Sequence, residues 1–141
     1  MYQRFSVTKN NHALKKNDKW METLYNRIGS DNLKQLIDVF YDLVFANEKI
    51  APLFRNDKKE IKEKQYLFLT QFLGGPGIYS ERFGHPKMRA RHIQHKITIE
   101  AKEEWLKCMR KAIESIDQLD DKLKVELYMC FPQVAQHMVN S

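Results

Sequence analysis

Three polar side chains fall where a helical protein ordinarily keeps its apolar face. Asp57 followed by Glu60 resembles a capping box, and the helix it opens carries an inward stripe of Ile61, Gln65, Phe68, Leu69 and Phe72. At about 100° per residue, Gln65 lies near the middle of that stripe. A buried amide without partners costs about 1–3 kcal/mol. Gln65 therefore either bonds to a nearby backbone group or water, or points into a ligand cavity. Trp105 sits centrally on a second stripe and brings one N–H donor; Tyr41 lies at the edge of a third and brings a hydroxyl. Taken singly, each is ordinary core filler. Three polar tips from three separate helices, all directed inward, point to a polar pocket.

A fourth candidate is a ligand to metal. His92 and His95 are three residues apart, so one short helix can present both. With His85 they form a conceivable zinc set, although neither an H-E-x-x-H motif nor a C-x-x-C pair accompanies them. The run Gly74-Gly75-Pro76-Gly77 lacks the Lys-Ser/Thr of a phosphate-binding loop and reads as a helix stop. No nucleophile and base stand at a recognisable catalytic spacing.

The elements that must position these residues are helices. Asp31 can cap one whose apolar face is Leu33, Leu36, Ile37, Phe40 and Val44, with Pro52 closing that region. The Asp57 helix runs to the glycines. After an irregular stretch, residues 87–94 read as a short helix. Thr98 caps a further one with Ala101, Trp105, Cys108, Met109, Ala112 and Ile116 on one side. The last begins near Asp120 and presents Leu123, Leu127, Cys130, Phe131, Val134 and Met138, with Pro132 expected to kink it or end its first half. No segment sustains period-two alternation, so the fold class is all-α. The 141 residues divide into a basic tail or loosely docked helix at 1–20 and one domain at 21–141.

Composition narrows the function classes. Of the net charge of +6, residues 1–20 carry +4, leaving +2 for the other 121 residues. A basic tail on a near-neutral body is a poor nucleic-acid surface. No window is apolar for a membrane span, and no signal-peptide stretch appears, so the expected location is cytoplasmic. Cys108 and Cys130 lie within helical patterns and read as small buried hydrophobes rather than a disulfide.

The string LTQFLGGPGIYSERFGHPKMRARH, from Leu69 to His92, resembles the group II truncated haemoglobins, as do FYDLV around Tyr41, WLKCM from Trp105 and HMVN from His137. The resemblance covers about residues 22–140. It implies a shortened globin, a two-over-two helical sandwich enclosing one non-covalent haem b. His92 falls on the proximal histidine that ligates the iron. Phe54 matches the aromatic packed on the haem face. Tyr41, Gln65 and Trp105 match the distal positions around a bound ligand, and Ile61 the distal gate. Lys64 and Arg91 match residues that pair with the haem propionates, with Tyr79 assisting; Phe68 and Leu69 complete the expected cofactor contacts. The absence of C-x-x-C-H excludes the usual covalent attachment. Two departures stand out: His95 replaces an apolar wall residue, and Ile61 is bulkier than the small residue often found at the gate.

The implied activity is tight, reversible O₂ binding at a pentacoordinate haem iron, with NO, CO or peroxide as other small ligands. Two alternatives share the same chemistry: an NO dioxygenase or peroxidase-like enzyme drawing on an external reductase, and a haem-based gas sensor. The expected assembly is a monomer or homodimer.

Overall fold

The computed structural model describes residues 22–55, 57–84 and 96–140. Every regular element in these stretches is helical. Thr23 opens α1 (Leu24–Ile28), its Oγ1 accepting from the Asn26 N–H at 3.1 Å. Gly29 closes α1 at φ 87° and leads straight into α2 (Ser30–Ala46). A residue with a Cβ would be strained in that left-handed conformation. Asp31 is therefore not the cap that its spacing suggests: Gly29 holds the cap position, and Asp31 sits in the first turn, where its carboxylate still meets the positive end of the helix dipole.

Helix α2 buries Leu33, Leu36, Ile37, Phe40 and Val44, the stripe read from the sequence. Tyr41 is buried as well, at 3% exposure, instead of lying at an edge. The cause is that α2 is covered from two sides, so its buried face is wider than a single apolar stripe. After a 3₁₀ turn at Ala51–Leu53 containing Pro52, α3 (Lys58–Phe72) begins, and Asp57 Oδ2 accepts from the Glu60 N–H at 3.2 Å. Phe68 and Leu69 are buried and Ile61 and Gln65 half-buried. Phe72 departs from the expected inward stripe: the helix ends there, leaving its ring 38% exposed while it stacks on Phe68 at 5.7 Å.

The glycine run stops α3. The Gly75 N–H donates to the Thr70 carbonyl at 2.8 Å, and a Cβ at that position would lie 2.8 Å from the same oxygen. The stretch after the glycines, expected to be irregular, contains a further helix, α4 (Ile78–Phe83). Its cap comes from α3: the Gln71 amide accepts from the Ser80 N–H at 2.8 Å and donates to Ser80 Oγ at 2.7 Å.

Thr98 caps α5 (Ile99–Glu114), and Asp120 caps α6 (Asp121–Tyr128); their side chains accept from Ala101 and Leu123 at 3.0 and 2.8 Å. Pro132 ends rather than kinks the expected terminal helix, standing in the first turn of α7 (Pro132–His137). Pro is tolerated there because its missing N–H would have no intrahelical partner. Both cysteines are free thiols, Cys108 buried and Cys130 half-buried, and burial pushes both thiols up.

Helix α2 pairs with α3, and α5 pairs with α6 and α7; the contact of α2 with α5 joins the two groups. Phe40, Val44, Met109, Ala112 and Ile113 are each at most 1% exposed and form the core of that junction. Residues 1–20 and 87–94, and with them His85, Arg91, His92 and His95, lie outside the described residues.

The cap of α5 matters because this helix carries Trp105. Thr98→Ala is expected to lower unfolding free energy by about 0.5–2 kcal/mol, and Thr98→Asp to retain most of it. Urea unfolding checks this; identical midpoints for Thr98→Ala and the parent would show that the cap contributes nothing.

Candidate functional site

Side chains from α2, α3, α4, α5 and α7 line a common cavity of about 270 Å³. This is close to the lower end of the ~300–1,000 Å³ usual for small-molecule sites. Tyr41 enters from α2, Gln65 from α3 and Trp105 from α5, so the three polar residues singled out from separate stripes do meet in one space. Phe54 enters after the 3₁₀ turn, Ile61, Lys64 and Phe68 from α3, and Tyr79 from α4. Leu69, grouped with them on sequence, does not line the cavity. It is 2% exposed within the hydrophobic core, because the α3 stripe is wide enough to serve both. The Ile61–Gln65–Phe68 edge faces the cavity.

Trp105 and Tyr41 are held by edge-to-face aromatic contacts. Trp105 meets Phe40 at 5.1 Å and 74°, and Tyr41 meets Phe54 at 5.9 Å and 76°. Such pairs add about 0.5–1.5 kcal/mol beyond the area they bury, and they restrict where the indole and phenol can point. Asn47, just past α2, donates to Glu104 Oε1 at 2.9 Å and so ties α2 to the residue beside Trp105. That bond, with Lys107 alongside, holds the Glu104 carboxyl below its usual range. On the opposite edge, Tyr79 packs against Phe68 at 5.4 Å and 80°. The Gln71–Ser80 bonds fix the helix that delivers it.

Electrostatically the cavity is apolar with sparse, placed charges. Burial pushes the Tyr41 phenol far above its ordinary value of 10.0, so it stays a neutral donor. Lys64 and Lys102 are the only charged lining residues among those described. Lys64 Nζ lies 4.8 Å from the Phe83 ring centroid, and Lys102 Nζ donates to Gln136 Oε1 at 2.7 Å. Sequence reasoning missed Lys102, although its position three residues before Trp105 puts it on the same helical face. It also missed Ala101 and Ile97 as lining residues. Val134 and Met138 line the wall from the α7 end, as their inward stripe allowed.

This donor set fits a haem. Aromatic and aliphatic walls suit a flat macrocycle, lysines on α3 and α5 suit its two carboxylates, and neutral donors on three helices suit a small polar ligand. Among the described residues, no group of His, Cys, Asp or Glu is arranged to hold a metal ion. His92, expected to supply that ligand, and Arg91, expected at the haem edge, lie outside those residues. Among the described residues no helix is long and apolar enough to cross a membrane.

Known proteins agree with this geometry. The bacterial-like globin family matches residues 23–140. A group 2 truncated hemoglobin of Bacillus subtilis is 41% identical over 116 residues, covering 82% of this chain and 87% of its own length. One from Lotus japonicus is 36% identical over 119 residues, covering 82% of this chain and 71% of its own. The crystal structure of a truncated oxygen-avid haemoglobin from Bacillus subtilis superposes with a TM-score of 0.79 at 40% identity, covering 84% of this chain and 100% of that one. The group II truncated hemoglobin of Bacillus anthracis gives 0.80 at 37% identity, covering 85% and 92%.

The raised Tyr41 pKa carries a linkage consequence. Once pH exceeds the ordinary tyrosine value, the unfolded chain releases a proton that the folded chain keeps, so stability falls as pH rises. Between about pH 9 and about pH 11, Tyr41→Phe should lose less stability than the parent, since it lacks this component. Denaturant titrations at the two pH values check it; equal losses would place the phenol in water.

Proposed function

The chain belongs to the bacterial-like globins, as a group II truncated haemoglobin, and on that premise we propose that it binds O₂ tightly and reversibly at a non-covalent haem b. The observation that carries this reading is the convergence of Tyr41, Gln65 and Trp105 from three helices on one apolar cavity. A helical interaction module has no use for such a space, and a purely structural core would fill it. The relative from Bacillus subtilis named oxygen-avid, 40% identical, supports the same avidity here.

Haem iron, when bound, supplies an open coordination position for a diatomic ligand. The chain supplies the rest. His92 is the proposed proximal ligand, on the strength of its place at the end of the GHP…MRxRH string. Phe54, Ile61 and Phe68 form apolar walls that exclude water. Lys64 and Lys102 would offset the carboxylates of a bound haem, and Arg91 is proposed to join them. Tyr41 O–H and Trp105 N–H donate toward a polar ligand, whereas Gln65 can donate or accept. In a low-dielectric pocket such donors act more strongly than in water and need no reorganisation. A polar ligand such as O₂ would gain more from these donors than the less polar CO.

Two measurements test the reading. Purified protein should carry one haem per chain that acidified organic solvent strips, and His92→Ala should lose it or hold it far more weakly; haem surviving the solvent would contradict non-covalent binding. Trp105→Phe and Tyr41→Phe keep an aromatic body while removing a donor. Each should raise the O₂ dissociation rate by roughly 5- to 100-fold, the value of one buried hydrogen bond, with a much smaller change for CO. Stopped-flow displacement reads both rates, and parental O₂ release in the two variants and their combination would dismiss these donors.

A further inference from the structure

We propose that Asn140 is a positioning residue for the haem cavity, clasping the backbone at Ile97 and thereby holding the α7 wall against the start of α5; this rests on the haem-binding reading above. Both backbone groups of Ile97 are taken up by this one residue. The Ile97 N–H donates to Asn140 Oδ1 at 2.8 Å, and the Ile97 carbonyl accepts from the Asn140 N–H at 2.9 Å. The result is a closed two-bond ring, with a side-chain amide replacing one of the carbonyls that would pair two strands.

The position of the ring gives it a function. Ile97 lines the cavity and directly precedes Thr98, the cap of α5. Two residues before Asn140, Met138 lines the same cavity, as do Val134 and Ala135 on α7. Helix α7 is only 6 residues long, so its own hydrogen bonds do little to place it. A second tie acts in parallel: Lys102 Nζ donates to Gln136 Oε1 at 2.7 Å. These three bonds connect residues 34 or 43 positions apart in sequence and close the wall that α5 alone leaves open. Asn140 belongs to the HMVN motif, which the ligand-binding role of the pocket leaves unexplained.

The chemistry of the clasp requires a short side chain with an acceptor oxygen. Asn140→Ala removes Oδ1 and leaves the Ile97 N–H to water; Asn140→Asp keeps the acceptor. Glu126→Ala serves as a control, because it cuts the exposed Arg27–Glu126 ion pair, neither member of which lines the cavity. The haem-loaded proteins are mixed with an excess of a haem-scavenging apoprotein, and the rate of haem loss is followed by absorbance. Amide hydrogen exchange at Ile97 is measured on the same samples. Asn140→Ala should release haem roughly 2- to 10-fold faster and exchange the Ile97 amide faster by a comparable factor, as expected for one hydrogen bond. Asn140→Asp and Glu126→Ala should match the parent in both. The clasp is refuted if Asn140→Ala matches the parent, if Asn140→Asp fails to restore both readouts, or if Glu126→Ala accelerates haem loss equally. A parent protein that takes up no haem refutes the underlying haem reading instead, and the Ile97 exchange rates then still decide whether the clasp exists.

Discussion

Phe40 meeting Trp105 edge-on at 5.1 Å is the contact around which this molecule is organised. Phe40 is 1% exposed and sits where α2 crosses from its partnership with α3 to its partnership with α5. Its neighbour Tyr41 meets the Phe40 ring at 4.8 Å, and Trp105 also meets Phe131, at 5.9 Å. Two of the three polar tips in the cavity are therefore braced by the same buried ring. Protein interiors pack as densely as organic crystals, so a ring in this setting has few alternative positions. The constraint that joins the two helix groups is also the one that aims the indole and the phenol.

A cavity of this kind imposes a cost on the fold that the surrounding helices must offset. Lining side chains forgo the contacts that a filled core would give them. Polar tips in an apolar setting forgo water. The chain answers with deep apolar burial elsewhere: Leu33, Val44, Ala112, Ile116 and Leu127 are fully buried. It also answers with side-chain caps at Thr23, Asp57, Thr98 and Asp120, which satisfy backbone groups that the helix N-termini would otherwise leave open. Even the Gly75 approach to the Thr70 carbonyl serves this purpose, since it turns the chain tightly enough for α4 to return Tyr79 to the cavity.

Charge is used sparingly for the same reason. Exposed ion pairs such as those of Asp42 with Lys58 and Lys62 tie α2 to α3 on the outer surface, and the two lysine contacts hold the Asp42 carboxyl below its usual range. Pairs this exposed contribute little to stability. At the cavity, among the described residues, only Lys64 and Lys102 carry charge, and both ammonium groups are engaged locally, by an aromatic face and by an amide. The other polar residues that line the cavity, Tyr41, Gln65 and Trp105 among them, are neutral. A neutral phenol or indole avoids the large penalty for burying an ion while still offering a hydrogen bond.

Much of this was legible in the linear chain. Helical periodicity marked the buried faces of α2, α3 and α5, because repeat spacing reflects a property of each helix alone. Caps at Asp57 and Thr98 were legible for the same reason: their bonds span three residues. Membership of the globin family was legible in the residues from Leu69 to His92 and in Trp105. Features that depend on distant partners were not. Tyr41 looked marginal because one helix cannot reveal that it will be covered from two sides. Helix α4 escaped notice because its cap, Gln71, lies on another helix. Leu69 and Gln65 share a stripe, and only the packing of α3 against α2 sends one to the core and leaves the other at the cavity. Lys102 and Asn140 were overlooked because their roles depend on α7 folding back onto α5, a contact between residues more than 30 positions apart. Sequence determines what each helix can offer to a neighbour, and the tertiary structure decides which neighbour accepts it.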